Sequence, residues 1–122
     1  MRAVKTRNTG PELRVRSVLR GRWRYTQATN HLPGRPDFVL PDHAVAVFVD
    51  GCFWHGCPTH FRLPKHNREW WREKIARNVR RDARQSAQLR RLGYSVVRLR
   101  EHDSDERVAA RVATAVGRSS AA

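Results

Sequence analysis

Thirteen consecutive positions, Phe48-Val49-Asp50-Gly51-Cys52-Phe53-Trp54-His55-Gly56-Cys57-Pro58-Thr59-His60, constrain this chain more than any other stretch. They hold both cysteines of the protein, two of its six histidines, an acid and an adjacent aromatic pair. Thiolate and imidazole at short spacing are what a tetrahedral Zn²⁺ takes, because neighbouring ligands lower the entropy of closing the site. Cys52, Cys57 and His60 are the candidate ligands. A closed site needs a fourth, and with no third cysteine His102 is the leading choice. That set closes only if the end of a later strand meets this loop. The competing reading makes Cys52 and Cys57 small buried apolar residues, a common fate of free cysteine.

A chain of 122 residues is one domain, 1–122, long enough for a sheet with helices and too short for two cores. Its formal net charge of +14 and pI near 11.6 are an electrostatic footprint for nucleic acid. Lys and Arg would release condensed counterions from phosphates whatever the base sequence. An anionic membrane surface fits the charge too, but the sequence has no apolar run of about 18 residues and no signal-peptide core. A cytoplasmic, monomeric protein without a membrane partner is the expectation. In that compartment two cysteines read as metal ligands or free thiols rather than a disulfide.

Thr9-Gly10-Pro11-Glu12 reads as a helix start, with Thr9 as N-cap and Glu12 completing a capping box. Leu13, Val15, Val18 and Leu19 supply a buried stripe up to Gly21. Arg22 to Thr26 alternates like a half-exposed strand. Leu32 to Leu40 is a turn feeding a second strand, with Asp37 at its mouth. Ala44 to Val49, apolar and β-branched, predicts a strand covered on both faces that delivers Asp50 at its end. Asn67 is placed to cap a long helix over about 68–92, with Trp71, Ile75, Val79, Ala83 and Leu89 near one face. Its other faces carry Arg72, Lys74, Arg77, Arg80, Arg81, Arg84, Arg90 and Arg91. Such a charge run is usually a solvated face, but acids on this helix are too few to balance it, so nucleic-acid contact is favoured. Tyr94 to Arg100 is a strand that the helix allows to run parallel to its partner. Asp103 is placed to cap a last helix, with 117–122 as a frayed tail. The predicted order α-β-β-β-α-β-α is an α/β fold with a mixed sheet of about four strands flanked by helices.

Two acids at adjacent strand ends, Asp37 and Asp50, suggest a divalent cation bound by hard oxygens beside a phosphate. An Asp bonded to its own turn is the alternative. His55 lies outside the cysteine-histidine ligand set, and its near-neutral pKa suits it to proton transfer, or else it packs on the loop. Phe53 and Trp54 cannot both face one small core. Together with Trp71 they are candidates for stacking on bases or wedging between them, against the commoner fate of core packing.

At these residues the chain resembles the very short patch repair endonucleases, the Vsr-type T:G mismatch nicking enzymes. The matching motifs run in family order over nearly the whole chain: Thr6-Arg7-Asn8-Thr9 with Glu12, Leu32 to Leu40, Val47 to Gly56, Pro64-Lys65 with Glu69-Trp70-Trp71, Lys74-Ile75 with Asn78 and Arg81-Asp82, and Leu92-Gly93-Tyr94. The resemblance implies a restriction-endonuclease-like fold and a Mg²⁺-dependent nick 5′ to the thymine of a T:G mismatch. It implies Asp37 as the principal Mg²⁺ ligand with the Val49 carbonyl, and His55 and Glu12 as catalytic residues working on or through water held by the metal. Phe53, Trp54 and Trp71 match the family's wedge, and Arg35, Lys74, Arg77, Arg80 and Arg81 are the expected contacts to duplex DNA. Cys52, Cys57, His60 and His102 fall on or near the family's structural zinc site. Mismatch-repair proteins are the partners it suggests.

Three departures stand out. Asp50 occupies a position where the best-known members carry a histidine, which leaves it as an extra metal ligand, or with no role at all. His102 replaces the usual cysteine, and the Cys57/His60 order is altered. The stretch before the first helix is short, which bears on sequence preference and affinity. Two other readings stay open: a related nuclease without T:G preference, and a zinc-stabilised DNA-binding module that does not cut. Acids placed to face phosphate argue against the second.

Overall fold

The computed structural model describes residues 10–50 and 65–120. The elements, in order, are α1 (Gly10–Leu19), β1 (Phe38–Leu40), β2 (Val45–Asp50), α2 (Arg68–Arg91), β3 (Ser95–Arg100) and α3 (Asp105–Ser120). The sheet order is β1-β2-β3. β1 and β2 form an antiparallel pair, with Phe38 opposite Val47 and Leu40 opposite Val45. β3 runs parallel to β2, from Val45 beside Ser95 to Asp50 beside Arg100. The connection between those parallel strands is the 24-residue α2, as a crossover requires.

Alternation in the central strand divides the core into two layers. Val45 and Val47, with Phe38, Leu40, Val97 and Leu99, join Val15, Val18 and Leu19 of α1 and Val108, Val112 and Ala115 of α3. Ala46 and Phe48, with Val39, meet Leu89 of α2 on the other face. The β2 strand is therefore covered on both sides, which is why it reads as one apolar run.

The expected first strand at 22–26 is reduced to one bridge. Thr26 exchanges both backbone hydrogen bonds with Val39, at 2.8 and 2.9 Å. Its hydroxyl then accepts the N–H of Ala28 at 3.1 Å, which turns the chain off the sheet edge before a second pair can form. Three strands, not four, make up the sheet among the described residues.

The helix ends differ from expectation in three places. Asn67 precedes α2 in the left-handed region, with φ 57°, and makes no side-chain cap. Ser104, rather than Asp103, caps α3, its Oγ accepting the Arg107 N–H at 3.1 Å. α3 also continues past Gly117 to Ser120, into the segment expected to fray. The end of α2 follows the sequence closely. Gly93, at φ 101°, lets its own N–H reach the Arg90 carbonyl and the Tyr94 N–H reach the Leu89 carbonyl, both at 3.0 Å, a Schellman closure.

Asp103 does other work. It is buried, accepts the Arg100 N–H at 2.9 Å and meets Arg107 at 3.3 Å, while Arg14 of α1 donates to the carbonyls of Glu101 and Asp103. The β3–α3 turn is thus held against α1. Replacing Asp103 with Ala removes the acceptor of a part-buried backbone N–H and should cost about 1–3 kcal/mol, seen as a lower urea midpoint at unchanged slope.

Candidate active site

β2 alternates in where its backbone groups point as well as its side chains. The Ala44 and Asp50 carbonyls accept from Ser95 and Glu101 on the β3 side, at 2.9 and 3.1 Å. Odd-numbered residues of β2 therefore face β1. At Val49 the β1 ladder has already ended, and the Val49 N–H is taken by the Asp37 carboxylate instead, at 2.7 Å to Oδ2. The Val49 carbonyl opens towards the same side. Asp37 therefore extends the ladder with its side chain, one residue before β1 begins.

Glu12 reaches this point from the opposite layer. It sits three residues before Val15 and six before Val18, on the stripe that α1 turns to the core, and is only 4% exposed. Leu13, expected on that stripe, is instead exposed. Glu12 and Asp37 share a side-chain hydrogen bond. Burial first, then that bond and the nearby charges of Glu12 and Asp50, push the Asp37 carboxyl up to about 8, against the opposing pull of the Val49 N–H. Thr9, the other half of the expected capping box, lies outside the described residues.

Asp37 opens into a cleft of about 500 Å³. Arg35 and Arg81 line it, with Phe48, Val49, Asp50, Asp82, Gln85 and Arg98. The Gly34-Arg35 turn supplies one wall, both residues in the left-handed region at φ 76° and 48°. A Cβ at Gly34 would stand 3.2 Å from Gln85 Cβ, and at φ 76° an L side chain is strained, so glycine suits the close approach of this turn to α2. Buried Thr29 donates its hydroxyl to the Pro36 carbonyl and holds the turn from below.

Asp50, read from sequence as a second metal ligand or no ligand, is engaged by Arg98: Nη1 lies 3.2 Å from Oδ1 and 3.4 Å from Oδ2. Arg98, Asp82 and Gln85 were not among the residues expected at the site. The alternation of Val96, Arg98 and Arg100 on the α2 side was visible, but which β2 residue they would oppose depends on register.

The remaining expected residues are dispersed. Arg77 and Arg80 are exposed on α2 outside the cleft, and Lys74 lies 5.8 Å over the Trp70 ring. Trp71 is half-buried and packs edge-on against Trp70 at 4.8 Å, so the more exposed ring of this pair is Trp70. Val79 and Ala83, expected inward, face solvent, and Ser86 takes an inward place. His102 is exposed just beyond β3, where Glu101 bonds the Asp50 carbonyl. Cys52, Phe53, Trp54, His55, Cys57 and His60 lie outside the described residues.

The donors at the mouth of the hairpin are all oxygens: two carboxyls and a strand carbonyl. No group of three or more His, Cys, Asp or Glu converges among the described residues. One or two carboxylates completed by water and phosphate are the preferred set for Mg²⁺, so the residues present fit such a cation.

Comparison with known proteins decides the family. The model of the family described as DNA mismatch endonuclease Vsr matches residues 1–60. The chain is 43% identical over 101 residues to the DNA mismatch endonuclease Vsr of Escherichia coli K12, covering 80% of this chain and 64% of that protein. It is 41% identical over 98 residues to the type II nicking enzyme V.XorIIP of Xanthomonas oryzae pv. oryzae, covering 79% and 72%. The chain belongs to the Vsr family. It spans about two thirds of the length of such relatives, 66% for the type II nicking enzyme V.NaeI of Lentzea aerocolonigenes at 39% identity. The mixed three-stranded α/β core of this Vsr-family chain is compatible with a restriction-endonuclease-like fold. No helix among its described residues is long and apolar enough to cross a membrane.

A carboxyl with raised proton affinity in the folded state binds more protons folded than unfolded between its two pKa values. For Asp37 that stabilising contribution is complete below its ordinary value of 3.8 and is lost as pH climbs to about 8. Metal-free protein should therefore melt at a lower temperature near pH 8 than near pH 5. Asp37→Asn, which carries no charge at either pH and can still accept from Val49, should shrink that difference by at least roughly 4 °C.

Proposed function

We propose that this chain is a DNA strand-nicking endonuclease of very short patch repair, cutting 5′ to the thymine of a T:G mismatch with Mg²⁺. The observation that carries the reading is the Asp37 carboxyl, fixed by the Val49 N–H at the end of the β1–β2 hairpin in a cleft lined by Arg35 and Arg81, with Glu12 buried beside it. Asp37 and the Val49 carbonyl would hold Mg²⁺, which when bound neutralises phosphate charge and makes water more acidic. Glu12, buried and bonded to Asp37, orients that carboxylate. His55 is assigned proton transfer at the attacking water or the leaving oxygen. Arg35, Lys74, Arg77, Arg80 and Arg81 grip the duplex backbone, and Phe53, Trp54 and Trp71 wedge into the stack beside the mismatch. A mispaired step opens at lower cost, and unstacking is worth a few kcal/mol that ring stacking offsets.

A structural Zn²⁺ on Cys52, Cys57, His60 and His102 belongs to the same reading. Its support is that His102 follows the strand whose end bonds Asp50, the residue from which the cysteine loop departs. Folded protein should contain one equivalent of zinc by elemental analysis. His102→Ala should lower the zinc content and the melting temperature, and zinc-free folded protein would remove the assignment.

A second reading, a nicking enzyme that does not require T:G, is favoured by the names of several relatives, which are type II nicking enzymes. Nicking of end-labelled matched and T:G duplexes, with Mg²⁺ and with EDTA, separates the two. The proposal expects cleavage only of the T:G duplex, only with Mg²⁺, and lost by at least about 10³-fold in Asp37→Asn while DNA binding changes little. Equal nicking of both duplexes would support the second reading, and cleavage surviving in EDTA or in Asp37→Asn would refute both assignments of Asp37.

A further inference from the structure

Arg98 is an unusual residue to find in a strand packed under a helix. It is mostly buried, and every part of its guanidinium is fixed. Nε donates to Ser86 Oγ at 2.9 Å, Nη2 to the Asp82 carbonyl at 3.1 Å and Nη1 to Asp50. Its carbon lies 3.9 Å over the Phe48 ring. Those contacts come from β2 and from α2, so the group is fixed between the two elements. A guanidinium has five N–H groups, and three partner groups leave donor capacity on the terminal nitrogens.

The position of that spare capacity is informative. Arg98, Asp50 and Asp82 line the cleft of Asp37, and the same three line an adjoining groove of about 350 Å³ that also holds Arg90 and Arg100. Arg98 stands where the two meet. Arg35 and Arg81 thus line the groove on one side of Arg98, and Arg90 and Arg100 the groove on the other. A track of this kind suits successive phosphates of one nucleic-acid strand, because a planar, pre-oriented fork pairs with phosphate oxygens at little entropic cost.

We propose that Arg98 is a phosphate-contacting residue of this site, on the strand bound at Asp37, and that Asp50 is its positioning residue rather than a metal ligand. The inference builds on the nuclease reading but concerns binding, so it can be tested apart from cleavage. An ion pair between two mostly buried groups is costly unless further hydrogen bonds complete it. Here Ser86, the Asp82 carbonyl and the Phe48 face complete it, and Asp50 fixes the fork without closing it off.

Removing Arg98 alone would take the guanidinium away from a mostly buried Asp50 carboxylate, so the informative comparison is Asp50→Asn against the double variant Asp50→Asn/Arg98→Met. The probe is a short T:G duplex and its matched counterpart in EDTA, with binding measured over a range of salt. Each phosphate contact neutralised by a cation contributes about 0.9 to the slope of log K against log salt. Asp50→Asn should keep or steepen the wild-type slope, and the double variant should be shallower than Asp50→Asn by about 0.9, with weaker binding of both duplexes. Arg24→Met, at the far end of the hairpin beside Asp42, is the control and should leave the slope unchanged.

Equal slopes for Asp50→Asn and the double variant, both folded by circular dichroism, would show that Arg98 is a structural strut and overturn the proposal. The role of Asp50 is read from nicking. An unchanged Mg²⁺ concentration for half-maximal rate in Asp50→Asn supports positioning, and a several-fold increase makes Asp50 a metal ligand. A wild-type protein that never nicks, yet shows the slope contrast, would overturn the nuclease reading and leave the phosphate contact standing.

Discussion

The Val49 N–H, at the end of the central strand, has no backbone partner on the β1 side and finds a carboxylate at 2.7 Å. That bond does two jobs whose demands conflict. It lets β1 stop after three residues without leaving a strand amide unpaired in a covered sheet, and it fixes the Asp37 carboxyl at the point where both layers of the fold meet. Burial there favours the neutral acid, and so does Glu12 arriving from α1. The fold holds the pair because α1 is anchored independently by Val15, Val18 and Leu19, all in the core. A site kept electrostatically uncomfortable by its scaffold is one that a cation can relieve.

The same economy explains the other wall. Gly34 takes a left-handed backbone close against Gln85, which the lack of a Cβ favours, and Thr29 holds the turn through the Pro36 carbonyl. Arg35 is thereby carried on a short, over-determined turn rather than on a free loop. Opposite it, Arg81 comes from a helix whose end is closed by Gly93. Cation-bearing groups on rigid elements share the cleft with the fixed Asp37 carboxyl.

Periodicity made much of this legible. The apolar run 44–49, the long basic helix and the strand at 94–100 follow directly from side-chain period and from Gly93, and the antiparallel-then-parallel order follows from connection length. Local pattern failed where tertiary partners decide. Residues 22–26 alternate as a strand should, yet Thr26 bonds its own turn after one bridge. The contact of Glu12 with Asp37 joins a helix to a strand mouth 25 residues on, which local pattern does not show. Asp50 and Arg98 are 48 residues apart, and only the register of β2 on β3 brings them together. The motif string 48–56 pointed to the family on residues whose arrangement lies mostly outside the described segments.

The central claim is that one divalent cation belongs to Asp37 and not to Asp50. Anomalous scattering from crystals soaked in Mn²⁺, a stand-in for Mg²⁺, tests it most directly. A single strong peak is expected within coordination distance of the Asp37 carboxylate, on the side of the Val49 carbonyl, with Asp50 still bonded to Arg98. A peak on Asp50 with Arg98 displaced, or none at Asp37 in a protein that nicks in the same Mn²⁺ solution, would contradict it.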